Sequence, residues 1–547
     1  MTATTETHHK KTLLGVVTGI GSVGMRSILN LALVPIITHK MGLAWFGVYV
    51  LLLGMYETSQ YLDFGLNSAV IQELASEDEG SPAYIDKLWQ GHTLFVLLSS
   101  IVLIICVLAG VGLFYFIPPP PGGQAVYASC IGLIVIESWL CRYYSYFNSV
   151  MQSKHAQYWV DANLALYSNI SLVGGVSALM LGWGLVGVIG ARVVGVLIAF
   201  LTALVLAFRT EPLLRQFRWV MHRDYATTFL KTGYYGTLMN LGIIISHKVD
   251  SYVIALFAPL EVVGLFEVTL RIFGPLNNLC VRLGGSFFPL FTRYMSQQRL
   301  PEARALLSRA TAFFGSLVVL GCSIALPYTM PIINWFSNEG LAQGPVLSLV
   351  AVNALILLSG SLIIPSNYCL FSARRFDFLV RTGLITAGIN VALSFLLAWL
   401  VLRVASDAWV PLAVAFGTLI PQGLQHQVWL IPRALQEIEL PWRTFALAVA
   451  KVSGQLILVQ AVVLAVLTQV PFVRVWRAGL NQAIASVCAA VVHHPVMLPS
   501  FVAPCLILAC TGVVALLWAN TTAEERHRVW AQCRAKIGLA PEIETSS

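Results

Sequence analysis

Fourteen apolar stretches of 18 or more residues run through this chain of 547, near 13–38, 44–74, 88–117, 124–150, 158–181, 184–208, 227–257, 262–291, 305–335, 345–371, 379–402, 408–430, 444–470 and 496–519. Each is long enough to cross a hydrocarbon core of about 30 Å as a helix. A mean hydropathy of +0.78, with 57% hydrophobic and 11% charged residues, leaves too little polar surface to coat a soluble globule. The expected fold is all-α, a polytopic integral membrane protein of about fourteen transmembrane helices.

The basic residues orient it. With the N-terminus inside, the inner connections carry His8-His9-Lys10-Lys11, Lys87, Lys154, the arginines of 209–223, 293–309, 374–381 and 433–443, and a basic tail from Arg526 to Lys536. The outer ones hold Lys40, Arg403, Arg474 and Arg477. Both termini are expected in the cytoplasm, and the net charge of +8 reflects this bias rather than a nucleic-acid footprint. The first apolar run is too long for the core of a cleavable signal. No nucleotide-binding loop occurs, no cofactor or metal is expected, and the ten cysteines read as small core hydrophobes. The adjacent pair His493-His494 cannot chelate from one helix face and belongs at headgroup level.

Two internal matches organise the spans. Gly42-Leu-Ala-Trp-Phe-Gly47-Val-Tyr49 resembles Pro259-Leu-Glu-Val-Val-Gly264-Leu-Phe266 at an offset of 217, and 148–153 resembles 367–372 at an offset of 219. They argue for a duplicated six-helix unit, hence two parallel lobes plus two C-terminal helices, with the binding site between the lobes. The expected divisions are a first lobe over 1–208 (spans 1–6), a basic linker over 209–226, a second lobe over 227–430 (spans 7–12), spans 13 and 14 with an outer interfacial segment over 431–519, and a cytoplasmic tail over 520–547. In the linker, Arg215, Arg218, Trp219 and Arg223 suit an interfacial helix against anionic lipid.

Chemistry enters with the polar residues inside the spans. In span 8, Glu267, Arg271, Asn278 and Arg282 fall at offsets 0, 4, 11 and 15, within a stripe roughly 60° wide on one helix face. Arginine in lipid costs at least about 2.5 kcal/mol on insertion scales, so this stripe should face protein or a water-filled cavity. Span 2 places Glu57, Gln60, Asp63 and Asn67 on one face. Arg26 and Asn30 in span 1, Glu137 and Arg142 in span 4, Arg192 in span 6, and Lys231, Asn240, His247, Lys248 and Asp250 in span 7 complete the set. One reading makes these groups neutralised pairs that hold helices together, such as Glu267 with Arg271. The other makes the cations Arg26, Arg142, Arg192, Lys248, Arg271 and Arg282, with Asn278, a cavity for an anionic cargo, since a guanidinium fork suits phosphate oxygens.

The run Gly19-Ile-Gly-Ser-Val-Gly24, Leu29-Asn30 and Pro35, followed by Met41-Gly-Leu-Ala-Trp-Phe-Gly47-Val-Tyr49 and Tyr61-Leu-Asp63-Phe-Gly65-Leu, resembles the start of bacterial polysaccharide-export flippases. These are the O-antigen and exopolysaccharide flippases of the multidrug/oligosaccharidyl-lipid/polysaccharide exporter superfamily. Asp250-Ser-Tyr-Val-Ile with Val263-Gly264-Leu-Phe266 is similar to the family's junction of spans 7 and 8.

The resemblance implies two six-helix lobes around a cavity that passes an undecaprenyl-diphosphate-linked anionic oligosaccharide between leaflets by alternating access, with Arg26, Arg271 and Arg282 at the lobe interface. Partners would be that lipid-linked sugar, membrane lipids, and a polysaccharide polymerase or other export machinery. Such exporters draw on H+, Na+ or membrane potential, for which Glu57, Asp63, Asp250 and Glu267 are the candidate carboxylates. A lipid II flippase, a multidrug cation antiporter and a membrane-embedded glycan polymerase or transferase remain as alternatives. The first lacks its arginine-rich opening here, the second calls for an acidic cavity, and the third for large outer loops.

Overall fold

A computed structural model describes residues 33–154, 156–216, 218–285, 287–337, 343–451 and 454. Arg26 and Asn30, the His493-His494 pair, nearly all of spans 13 and 14 and the tail lie outside the described residues, as do the side chains of Lys231, Asn240 and His247.

The described residues form helices and no strand. They are α1 (33–41), α2 (Leu43–Tyr61), α3 (Leu66–Ala75), α4 (Pro82–Phe116), α5 (Gln124–Ser153), α6 (Gln157–Met180), α7 (Gly184–Thr210), α8 (Arg223–Phe257) and α9 (Leu260–Gly285). The second half continues with α10 (Phe288–Ser296), α11 (Leu300–Ala325), α12 (Thr329–Ser337), α13 (Gln343–Ser372), α14 (Phe376–Val404), α15 (Val410–Leu424) and α16 (Ile431–Glu437). Among the described residues seven helical segments, α4 to α7 and α14 included, are long and apolar enough to cross a membrane. The chain is a multi-pass membrane protein.

Helix ends follow local chemistry. Ser81 caps α4 by accepting the Tyr84 amide at 3.1 Å, with Pro82 in the first turn where its missing N–H is no loss. The 35 residues of α4 extend about 52 Å, well beyond a hydrocarbon core. Its first turns carry Lys87, paired with Glu73 and Glu77 at 2.7 Å each.

Span 2 is not the continuous helix that the sequence pattern suggests. It breaks between Tyr61 and Leu66, where Phe64 (φ 48°) and Gly65 (φ 67°) turn left-handed. Asp63 therefore leaves the expected face and closes the turn, accepting from the Gly65 amide at 3.1 Å and the Asn67 amide group at 2.9 Å. A Cβ at Gly65 would collide with the backbone of Gly233 on α8, so the break also lets α3 and α8 approach. Span 8 likewise divides into α9 and α10. Its stripe crosses Pro275, which has no N–H to offer the Arg271 carbonyl one turn back.

Among its described residues the linker forms no interfacial helix. After one 3₁₀ turn at Pro212–Arg215, its Val220 and His222 amides donate to Thr93 Oγ1 (3.3 Å) and Gln90 Oε1 (2.6 Å) of α4. Those donors go to side chains instead of a helical ladder. Trp219 remains 61% exposed.

The duplication is visible in the helix boundaries. Leu43 and Leu260, Pro82 and Leu300, Gln124 and Gln343, and Gln157 and Phe376 begin corresponding helices, at offsets of 217 to 219 residues. Both α5 and α13 span 30 residues. Where α2 crosses α9, a Cβ on Gly47 would strike the Leu260 carbonyl, and a Cβ on Gly264 would meet the Leu43 carbonyl oxygen at 2.6 Å. These four residues are two equivalent pairs, so each copy supplies the glycine that admits the other's backbone.

Packing separates two compact units. Of the described residues, the first comprises those up to Pro275 with Ile333–Asn353 and Phe376–Gln425; the second comprises Leu276–Ile332, Ala354–Arg375 and those from His426. In the first, α7 packs on α5 and α6, while α8 lies against α2, α3, α14 and α15. In the second, Phe288 packs on Tyr368, Arg304 donates to the Ile438 carbonyl at 2.7 Å, and Arg375 and Arg433 share Glu437 at 2.9 Å each.

Candidate functional site

Three of the polar groups in the first unit are built on residues that the sequence singled out. The first joins α2, α8 and α9. Lys248 Nζ donates to Glu57 Oε2, and the side chains stay 34% and 36% exposed. Arg271 reaches Glu267 at 3.2 Å, one turn away on α9, and sets its guanidinium 5.9 Å from the centre of the Phe46 ring. Both Nε and Nη2 of Arg271 engage the single oxygen Oε1. An Arg fork carries five N–H groups, so this pairing leaves donors for a ligand.

The second group is buried and self-contained. Glu137 on α5, with no exposed surface, takes two hydrogen bonds from Arg192 on α7 (2.7 and 3.1 Å) and one from the Tyr167 hydroxyl on α6 (2.6 Å). Arg192 also stacks over Tyr56 at 4.9 Å, and the Tyr56 hydroxyl lies 3.3 Å from Cys141 Sγ. Beside it Arg142 is fully buried and donates to the Ser59 carbonyl, while its Nε and Nη1 find no hydrogen-bond partner. In this conformation the guanidinium groups of Arg142 and Arg192 brace helices rather than line an accessible surface.

The third group surrounds Asp250 on α8, which is 6% exposed. Thr418 on α15 donates to its Oδ2 at 2.6 Å, and Oδ1 has no partner. Thr418 also accepts from Asn390 Nδ2 at 3.1 Å, and Asn390 Oδ1 accepts from Ser394 at 3.2 Å, both on α14. Glu57 and Glu267 each carry a cation and Asp63 is committed to its turn, whereas Asp250 forms no ion pair among the described residues. A carboxylate buried without a countercharge is costly, which favours taking up a proton or a small cation.

Residues 15–295, just over half of the chain, match the profile of the family described as polysaccharide biosynthesis protein. The chain belongs to that family. No curated protein sequence matches it. Among solved structures, this family member is similar to a lipid II flippase MurJ in an inward closed conformation (13% identity, TM-score 0.59), covering 95% of this chain and all of that one. It is also similar to an inward-facing multidrug resistance MATE family transporter of the MOP superfamily (13% identity, TM-score 0.61, 77% of this chain and 99% of that one). A third likeness is a MOP superfamily transporter from Pyrococcus furiosus with a binding pocket of reverse polarity (13% identity, TM-score 0.56, 79% and 96%). The fold is thus that of MOP-superfamily transporters.

The structure brings Lys248 and Glu57 together and sets Arg271 on Glu267. Asn278 and Arg282, in the second unit, are exposed on the part of α9 beyond Pro275. The sequence pattern did not single out Tyr56, Tyr167, Thr418, Asn390 or Ser394. Asn390 and Ser394, one turn apart in an apolar span, were a usable signal; Thr418, a lone hydroxyl, was not.

Proposed function

We propose that this family member is a flippase moving an undecaprenyl-diphosphate-linked anionic oligosaccharide from the inner to the outer leaflet of the bacterial inner membrane for O-antigen or exopolysaccharide assembly. The observation that carries this reading is the pair of partly exposed cations Lys248 and Arg271, on successive helices. Cations at such depth are expensive, and they persist where they serve a polar cargo. A diphosphate unaided in lipid meets a large desolvation cost; fixed ammonium and guanidinium groups replace its hydration. On sequence grounds Arg26, Asn278 and Arg282 are further candidate contacts for the cargo.

The fold is shared with multidrug transporters and lipid II flippases and does not choose among them; the guanidinium donors that Arg271 keeps beyond its pairing with Glu267 favour an anionic cargo. Asp250 is the proposed coupling group for H+ or Na+, because among the described residues it alone of the four candidate carboxylates is buried without a cation or a turn to hold. Both termini are placed in the cytoplasm by the positive-inside bias, and a polymerase of the same assembly route is the proposed partner.

The test is the leaflet location of lipid-linked oligosaccharide in cells lacking this protein, complemented by wild type or Arg271→Ala. Cytoplasmic-leaflet accumulation in the deletion and the variant, relieved by wild type, is expected. Normal outward delivery in the deletion, in a strain without a second flippase, refutes the reading.

A further inference from the structure

A cavity of about 510 Å³ lies among α2, α4 and α8 of the first unit, lined by Met55, Ser59, Ile105, Ala109, Gly112 and Tyr252 among others. Two of its hydroxyls are engaged elsewhere: Ser59 donates to the Tyr56 carbonyl at 2.6 Å and Tyr252 to the Leu51 carbonyl at 3.0 Å. What remains is a carbon-lined crevice of ligand-pocket size, suited to hydrocarbon rather than to sugar. Beside Ile105 and Ala109, α4 exposes Ile104 and Leu108, so a chain passing from the bilayer into the crevice stays on apolar surface. Lys248 stands one helical turn before Tyr252, and Glu57 adjoins the lining residue Thr58. An accessible cation is therefore set next to an apolar slot.

We propose that this crevice holds the head-proximal part of a polyprenyl chain whose anionic headgroup meets Lys248. The identity of the chain rests on the flippase reading; the slot and its charge do not. The lipid-linked cargo would then be gripped at its first isoprene units as well as at its phosphates. Such a grip selects a branched polyprenyl chain over the acyl chains of the surrounding bilayer.

The experiment uses the full-length protein in nanodiscs of phosphatidylethanolamine and phosphatidylglycerol, with a polyprenyl phosphate carrying a diazirine in its first isoprene units. After illumination, adducts are located by mass spectrometry. The expected result is labelling of Ile105, Ala109 and Gly112, displaced by unlabelled polyprenyl phosphate about tenfold more effectively than by added phosphatidylglycerol. A Cβ at Gly112 meets nothing within 4 Å, so Gly112→Phe can fill the crevice without disturbing α4 and should cut these adducts about tenfold at unchanged thermal stability. Three results overturn the proposal: adducts confined to Ile101, Ile104 and Leu108, equal displacement by phosphatidylglycerol, or undiminished crevice labelling in Gly112→Phe. The leaflet assay on the deletion strain keeps the two ideas separate. Accumulation there with an unlabelled crevice removes the crevice alone, and no accumulation removes the flippase reading whatever the labelling shows.

Discussion

Asp250 and Thr418 are joined by a 2.6 Å hydrogen bond across α8 and α15 that satisfies one carboxylate oxygen and leaves the other, Oδ1, without a partner among the described residues. The asymmetry marks the place where a proton or a small cation would complete the group. Asp250→Asn keeps the shape and removes the charge. In proteoliposomes it should lower the stimulation of flipping by an imposed H+ or Na+ gradient, by about 5–150-fold for a coupling energy of ordinary size. Gradient-driven flux at the wild-type level would take Asp250 out of the coupling step.

Lys248 and Glu57 allow their structural and functional roles to be separated. Exchanging them, Glu57→Lys with Lys248→Glu, preserves the bridge between α2 and α8. If the bridge were the whole role, export would return in the exchange variant. The expectation is a protein that inserts normally yet stays inactive in the leaflet assay, because the cation no longer stands where the cargo's phosphates arrive.

Arg271→Ala and Arg282→Ala should each abolish export while leaving membrane insertion intact. Quantifying outer-leaflet oligosaccharide alongside the amount of membrane-integrated protein checks this. Retained export in both would remove the α9 stripe from the substrate path.

Glu137 and Arg192 call for a stability measurement. Removing one member, as in Glu137→Gln or Arg192→Met, leaves the other buried and uncompensated and should cost about 3–5 kcal/mol. Thermal unfolding of the purified protein reads this loss. The double replacement Glu137→Met/Arg192→Met should be milder than either single change, since no lone charge remains.

The sequence made the membrane class, most of the helices and the duplication legible, because these rest on long apolar runs and on repeated short patterns. Its errors sit at interruptions. Span 2 breaks at Phe64–Gly65 because Asp63 and a glycine contact on α8 reward the turn, a tertiary effect invisible to helical periodicity. The linker lost its expected helix to Gln90 and Thr93, about 130 residues away in sequence. For the candidate site, the pairing of Glu267 with Arg271 was readable at one turn's spacing. The pairings of Glu57 with Lys248 and of Glu137 with Arg192 join helices far apart in sequence, and composition does not say which acid meets which base. Asp250 was readable as a carboxylate in an apolar span, but its lack of a cation emerged only once its neighbours were placed.

The reciprocal seating of Gly47 against Leu260 and Gly264 against Leu43 bears on how such a chain can change over generations. After a duplication, the two copies drift apart wherever each minds only its own surroundings. At this crossing neither copy is alone: a side chain gained at either glycine lands on the sister copy's main chain, which no compensating substitution there can shorten. The crossing should therefore act as a ratchet, holding these paired positions to a common ancestral state while the flanking helices diverge in cargo and coupling chemistry.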